Sequence, residues 1–378
     1  MTVVNLAPTE DEGLLREAAR GFLDEAAPVS RLRRMRDEGR TSDPELWGDM
    51  ARMGWAGVLA PEERGGSDMG HRAAGILAEE MGRTLAVAPF LSTAVMAATA
   101  LRHASGGAER LAAIAAGELT YALAVDEGPK FAPCATAMEA ARHGNGYRLS
   151  GRKTFVDHGS SADRILVLAR TSGTPGEAAG LTLFDVERAR AGVRAAPGRS
   201  IDARDRATLD FDGVEATGAD VVGDQDDGLA ALEPALRAGQ AALAAEMAGL
   251  SAGAFTMTVS YLKERRQFDK PIGAFQALQH RAARLWCEME VTASAIANAG
   301  RMLDSDPQNA GLAVSLAKAR ATDTARLAVV EGVQMHGGFG MTDDFDMGFY
   351  MKRARVGAEW LGDYGYHAAE VARHRGMA

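Results

Sequence analysis

From Thr9 to about Gly117 the apolar residues recur at three- and four-residue spacing, as in EDEGLLREAARGFLDEAA and HRAAGILAEEMGRTL, which is the period of an amphipathic helix. Thr9-Glu10 and Ser42-Asp43 suit helix starts, because their side-chain oxygens accept backbone N–H groups that have no partner in the first turn. Between Thr120 and about Val222 the pattern shortens to partly alternating runs divided by Gly, Asn, Pro and Ser. GYRLSGRKTFV, RILVLART, GLTLFDV and ATLDFDGV are the predicted strands. After VVGDQDDG the helical period returns and holds, in long alanine-rich segments such as AALAAEMAGLSAGAFTMTVSYLKERRQF and AGLAVSLAKARATDTARLAVVEGVQMHGG. Small residues let such helices pack closely, so a bundle is expected. The fold class is α+β: an N-terminal α-helical domain at 1–118, a middle β domain at 119–225 and a C-terminal helical bundle at 226–378.

The chain has 378 residues, 47% hydrophobic and 25% charged, enough for a large core or for two or three domains. Its formal net charge of −9 offers no basic surface for nucleic acid or anionic lipid. Cys134 and Cys287 lie far apart without C-x-x-C spacing, which argues against a disulfide framework or a cysteine metal site. MTVVNLAPTEDEGLLREAAR has no basic n-region or apolar h-region, and no uninterrupted apolar stretch of spanning length follows. A cytoplasmic protein without membrane or nucleic-acid partners is expected.

Three stretches carry a resemblance that covers nearly the whole chain. They are MGWAGVLAPEERGGSDMG (53–70), ERRQFDKPIGAFQALQHRAA (264–283) and QMHGGFG (334–340). In that order they resemble the acyl-CoA dehydrogenase family, whose motifs read R-x-Q-F-G-x-P-I-x-x-F-Q and Q-x-x-G-G-x-G. The resemblance implies the family's fold, with a β-barrel-like middle domain and a C-terminal four-helix bundle. It also implies FAD, an acyl-CoA thioester substrate, an oligomer and an electron-transfer flavoprotein as electron acceptor. Arg265, Gln267, Phe268, Gln276, Gln334, Gly337 and Gly338 fall on the positions that contact the dinucleotide half of FAD. The residue types suit the task, since arginine grips pyrophosphate with a fork of donors and glycine lets backbone N–H groups approach. Asp269 stands where the motif has Gly and adds a negative charge there.

The resemblance fails where the chemistry is done. The family removes a proton next to the thioester with a carboxylate, and counting from the paired glycines puts that base on Leu361. The alternate position used by some members falls on Gly239. Glu246 lies two helical turns further on, displaced by about 10 Å. Asp363 and Glu359 flank Leu361 and remain as candidates, against a bland reading as solvated acids. Around the flavin ring, Asp126 and Asp157 replace Thr positions and Phe155 replaces Trp, in AVDEGPKFAPCAT and TFVDHGSS. Two acids there would oppose the negative charge of a reduced flavin. The pattern is that of a subunit that lacks the base and completes the FAD site of a base-bearing partner in a hetero-oligomer, as in family members acting on bulky lipid or steroid thioesters. A homotetramer with a relocated carboxylate and a flavin-free acyl-CoA-binding or scaffold protein are the alternatives.

Overall fold

The structure is a computed structural model that describes residues 6–102, 104 and 107–377. Its helices are α1 (Glu10–Ala26), α2 (Val29–Asp37), α3 (Pro44–Arg52), α4 (Gly70–Thr84), α5 (Ala98–Leu101), α6 (Gly107–Ala115), α7 (Gly228–Glu264), α8 (Gln276–Ser305), α9 (Gly311–His336), α10 (Met347–Glu359) and α11 (Tyr364–His374). The strands are β1 (Tyr121–Ala124), β2 (Glu139–His143), β3 (Gly146–Asp157), β4 (Arg164–Arg170), β5 (Leu181–Glu187), β6 (Val193–Arg199), β7 (Asp205–Ala216), β8 (Val221–Val222), β9 (Arg266–Gln267) and β10 (Lys270–Pro271). The two expected caps form: Thr9 accepts from the Glu12 N–H at 3.2 Å and Asp43 from the Leu46 N–H at 3.1 Å.

The chain divides into two compact units. One is built from the chain up to Asp37, His71–Ala86 and everything from Gln240 onward. Thus α1, α2 and nearly all of α4 group with the C-terminal helices, a pairing that sequence order alone does not reveal. Here α4 and α7 approach so closely that a Cβ on Gly82 would sit 1.9 Å from the Glu246 carbonyl oxygen, and one on Gly249 1.7 Å from that of Glu79. Only glycine fits on either side of that crossing. Glu80 of α4 is buried and held by Arg20 of α1 at 2.9 Å and by Arg16 at 3.0 Å. α7 is long and apolar enough to cross a membrane by length and composition, but 67% of its apolar window is buried inside the protein.

The other unit comprises Glu38–Gly70 and Val87–Gly239 and carries an eight-stranded sheet. Its order is β6-β7-β3-β2-β4-β5-β8, with β1 parallel to β4. All four predicted strand runs lie in it. β6 carried no clear signal, because it is VRAAPGR, an exposed strand broken by Pro and Gly. Tyr147 meets Phe184 edge to face at 5.2 Å in a core of aliphatic side chains. Between Lys153 and Val156 the β3–β7 register shifts by a bulge, which re-aims the side chains of 154–157.

Candidate cofactor and base sites

The first motif ends α7 and turns back as a hairpin. β9 and β10 pair antiparallel, with Lys270 opposite Gln267 and Pro271 opposite Arg266. The two linking residues, Phe268 and Asp269, have φ of +51° and +62°, as in a type I′ turn. This gives a conformational reason for the family's glycine. The position is left-handed, and Asp is among the few L-residues that tolerate it. Arg266 donates from Nη2 to the Asp269 carbonyl at 3.0 Å, and Lys270 Nζ lies 4.2 Å from the Phe275 ring centroid. Arg265, Gln267, Phe268 and Gln276 are all exposed, Phe268 by 84%. The side chains of Arg265, Gln267 and Gln276 have no hydrogen-bond or ion-pair partner among the described residues.

The second motif ends α9. Gln334 is exposed, and Gly337 has φ +63° and ψ −145°, which a side chain would not accept. A Cβ added to Gly337 or Gly338 would meet nothing within 4 Å, so this backbone is open to an incoming group. The structure brings the two motifs together through Tyr261, a residue that motif matching passes over. Its ring lies 6.2 Å from Phe339, almost parallel to it, and 4.5 Å from His336. His336 donates from Nδ1 to the Gly332 carbonyl at 2.7 Å. Unpartnered donors, an outward guanidinium and an open glycine backbone fit the dinucleotide half of FAD.

The turn after α10 has the opposite character. Leu361 is 4% exposed and strained at φ +58°. Its carbonyl accepts from Gln240 Nε2 and His367 Nε2, both at 3.1 Å. The Lys318 ammonium group donates to the carbonyls of Gly357 at 3.0 Å and Gly362 at 3.1 Å. Burial pushes the Lys318 amine down to about 7 and the His367 imidazole to about 4, the latter also opposed by Lys318. His367 is therefore neutral near pH 7, with the Nε2 proton on Leu361. The other carboxylates of the region have their own tasks. Glu246 is buried and paired with Arg353 at 3.2 Å, so it is not a substitute base. Asp363 caps α11 by accepting from the Tyr366 N–H at 2.8 Å, and Glu359 pairs with Arg355 at 3.0 Å. Both line a cavity of about 540 Å³ between α9, α10 and the start of α11. Gly239 lies within α7 and carries no side chain.

In the sheet unit, Asp157 of β3 and Arg206 of β7 are cross-strand partners, 3.3 Å apart and both buried. The expected repulsion from Asp157 is thus largely cancelled by a guanidinium that the sequence did not flag. Burial raises the Asp126 carboxyl to about 6, and its Oδ1 is buried without a hydrogen bond. Lys153, buried and lowered to about 8 by desolvation, bonds Glu127 at 2.7 Å. Phe155 has φ +55° and is 59% exposed. A carboxyl group and an internal ion pair stand where hydroxyl donors would serve the flavin ring, so these residues do not fit the ring half as they fit the dinucleotide half.

Comparison with known proteins gives this division a family. Residues 9–118 match the acyl-CoA dehydrogenase N-terminal domain, and residues 226–375 match the acyl-CoA dehydrogenase C-terminal domain. The chain is 30% identical over 325 residues to cyclohex-1-ene-1-carbonyl-CoA dehydrogenase of Geobacter metallireducens, covering 83% of this chain and 85% of that one. It is 29% identical to acyl-CoA dehydrogenase IpdE2 of Mycobacterium tuberculosis, covering 94% of each. A chain of the Tcur3481-Tcur3483 steroid ACAD superposes with a TM-score of 0.85 at 28% identity, covering 97% of this chain and 98% of that one. The chain belongs to the acyl-CoA dehydrogenase family, a family of FAD-dependent oxidoreductases.

Proposed function

We propose that this chain is the base-less subunit of a hetero-oligomeric acyl-CoA dehydrogenase, completing a shared FAD site on a partner that bears the carboxylate. The carrying observation is Leu361, a side chain that cannot take a proton, seated at the base position in a turn held by Gln240, Lys318 and His367. FAD, when bound, accepts the β-hydrogen of the acyl-CoA as hydride. In this reading Arg265 grips the pyrophosphate, and Gln267, Phe268, Gln276, Gln334, Gly337 and Gly338 line the dinucleotide. No residue of the chain removes the α-proton. The paired name of the Tcur3481-Tcur3483 steroid ACAD supports a two-subunit arrangement and a bulky acyl-CoA. A cytoplasmic complex that passes electrons to an electron-transfer flavoprotein completes the reading.

One observation favours a homotetramer with a relocated base, namely that Asp363 and Glu359 both line a cavity. The visible spectrum of the purified chain, with and without FAD, separates the readings. No flavin held alone, with a bound-flavin spectrum on mixing with a base-bearing homologue, is the expected result. A flavin that the chain holds alone and that bleaches with an acyl-CoA would establish a complete site. A chain colourless even with a partner would point to a flavin-free role. Leu361→Glu alone should give no dehydrogenase activity in the homo-oligomer, and robust turnover by that variant would sink the proposal.

A further inference from the structure

α2 reads VSRLRRMRD, the most arginine-dense helix of an acidic chain, and lies far in sequence from the cofactor motifs and the turn at Leu361. Two of its arginines, Arg33 and Arg36, share one face at i, i+3 spacing. Both guanidiniums lie over the ring of Phe349, each 4.9 Å from its centroid. From there they reach the segment after the glycine loop. Arg33 donates to the Asp343 carbonyl and to Asp346 Oδ1, both at 2.6 Å, and Arg36 donates to Asp343 Oδ1 at 2.7 Å.

That segment is tied to the glycine loop residue by residue. The Thr342 N–H and hydroxyl both donate to the Phe339 carbonyl, at 3.1 and 2.8 Å. The Phe345 N–H donates to the Thr342 carbonyl, and the Phe345 ring packs 4.9 Å from Phe339 and 4.6 Å from His336. A displacement of Asp343 would therefore be passed to Phe339 and His336, the two residues that bracket Gly337 and Gly338. These glycines have no side chain to hold them and open space around them, so their conformation depends on neighbours.

We infer that Arg33 and Arg36 are positioning residues for the dinucleotide-binding loop, clasping Asp343 and Asp346 so that the Gly337–Gly338 backbone is presented to FAD. The inference rests on the assignment of that loop to the dinucleotide. The clasp explains why an arginine cluster occurs on a helix distant in sequence from the cofactor motifs. It also accounts for two of the three acids that follow a loop meant for a phosphate-bearing ligand: the charge of Asp343 and Asp346 is taken up by arginine rather than turned on the ligand.

The test uses the full chain in its mixed complex with a base-bearing homologue, and ADP, which is the dinucleotide half without the ring. Amide hydrogen exchange at 337–346 is followed with and without ADP in wild type, in Arg33→Ala/Arg36→Ala, in Asp343→Asn/Asp346→Asn and in all four changes together. Both double variants should exchange faster over 337–346 and need roughly tenfold more ADP to regain protection. The fourfold variant should be no worse than either double, since all four residues form one coupled unit. The Asp343/Asp346 pair keeps the test decisive if loss of the arginines unfolds α2, because it leaves that helix intact. Unchanged exchange in the double variants, or additive effects, overturns the clasp. A loop that loosens in the variants while ADP protects none of the proteins, wild type included, instead overturns the dinucleotide assignment and the cofactor role with it.

Discussion

The two ends of the C-terminal helices treat their polar groups in opposite ways. At the hairpin after α7 the side chains of Arg265, Gln267 and Gln276 face outward and have no partner within the described chain, and in the loop after α9 the space a Cβ of Gly337 or Gly338 would enter is open. At the turn after α10, Gln240, Lys318 and His367 all point inward, onto the carbonyls of Leu361, Gly357 and Gly362. The first region leaves its donors free for a ligand, whereas the second satisfies its own polar groups. The turn at 361 is fixed through backbone carbonyls and does not depend on the side chain at that position.

If the inward region is structural, breaking its deepest ion pair should cost stability, not chemistry. Glu246→Ala leaves Arg353 buried without its carboxylate and should destabilise the chain by about 3–5 kcal/mol in urea unfolding. A variant as stable as wild type, with dehydrogenation lost in the mixed complex, would instead make Glu246 the missing base and dissolve the contrast.

Lys318 allows the contrast to be probed by pH. Its amine is lowered to about 7 in the fold from an ordinary 10.5, so between these values the unfolded chain binds a proton that the folded one does not. The contribution is fully present above 10.5 and is lost as pH falls toward 7. Wild type should gain stability relative to Lys318→Met as pH rises from 7 to 10, on the order of 1 kcal/mol per pH unit at most. The charged groups facing the amine are Glu359 and Asp363, with His367 close by. Parallel stability curves for the two proteins would mean that Lys318 is solvated and the turn is not closed.

The outward region makes the converse prediction. Arg265→Ala should leave the unfolding midpoint nearly unchanged, since the side chain has no partner to lose, and should weaken FAD retention in the mixed complex by roughly ten- to a hundredfold, as for a charge-assisted bond. Equilibrium dialysis against FAD checks it. A large loss of stability with unchanged retention would assign Arg265 to the fold.

Periodicity made α1 and α4 legible, α7 and α9 were legible as long alanine-rich apolar runs, and four strands were legible as short apolar runs between turn residues. The hairpin and glycine-loop motifs were legible because their residues are local. What stayed hidden was assembled across the chain: the partner of Glu246 is 107 residues away, and the three groups that hold the Leu361 turn come from three different helices. Asp157 looked like an uncompensated acid only because its cross-strand partner, Arg206, is fixed by a bulged register that sequence does not announce. Asp269 looked like a charge change, whereas the structure makes it chiefly a backbone change.

That last point supplies the smallest effect and the finest test. At φ +62° Asp269 is in a region where glycine pays no steric penalty, so Asp269→Gly relieves strain but also frees the unfolded chain. The two terms nearly cancel, and stability should move by no more than about 0.5 kcal/mol. The same change removes a negative charge from an exposed hairpin next to Arg265, so FAD retention in the mixed complex should tighten by roughly two- to threefold at low salt, and less at high salt as the charge is screened. A gain that ignores salt would show that the hairpin's conformation, not its charge, limits the outward site; a loss would mean that Asp269 itself contacts the ligand.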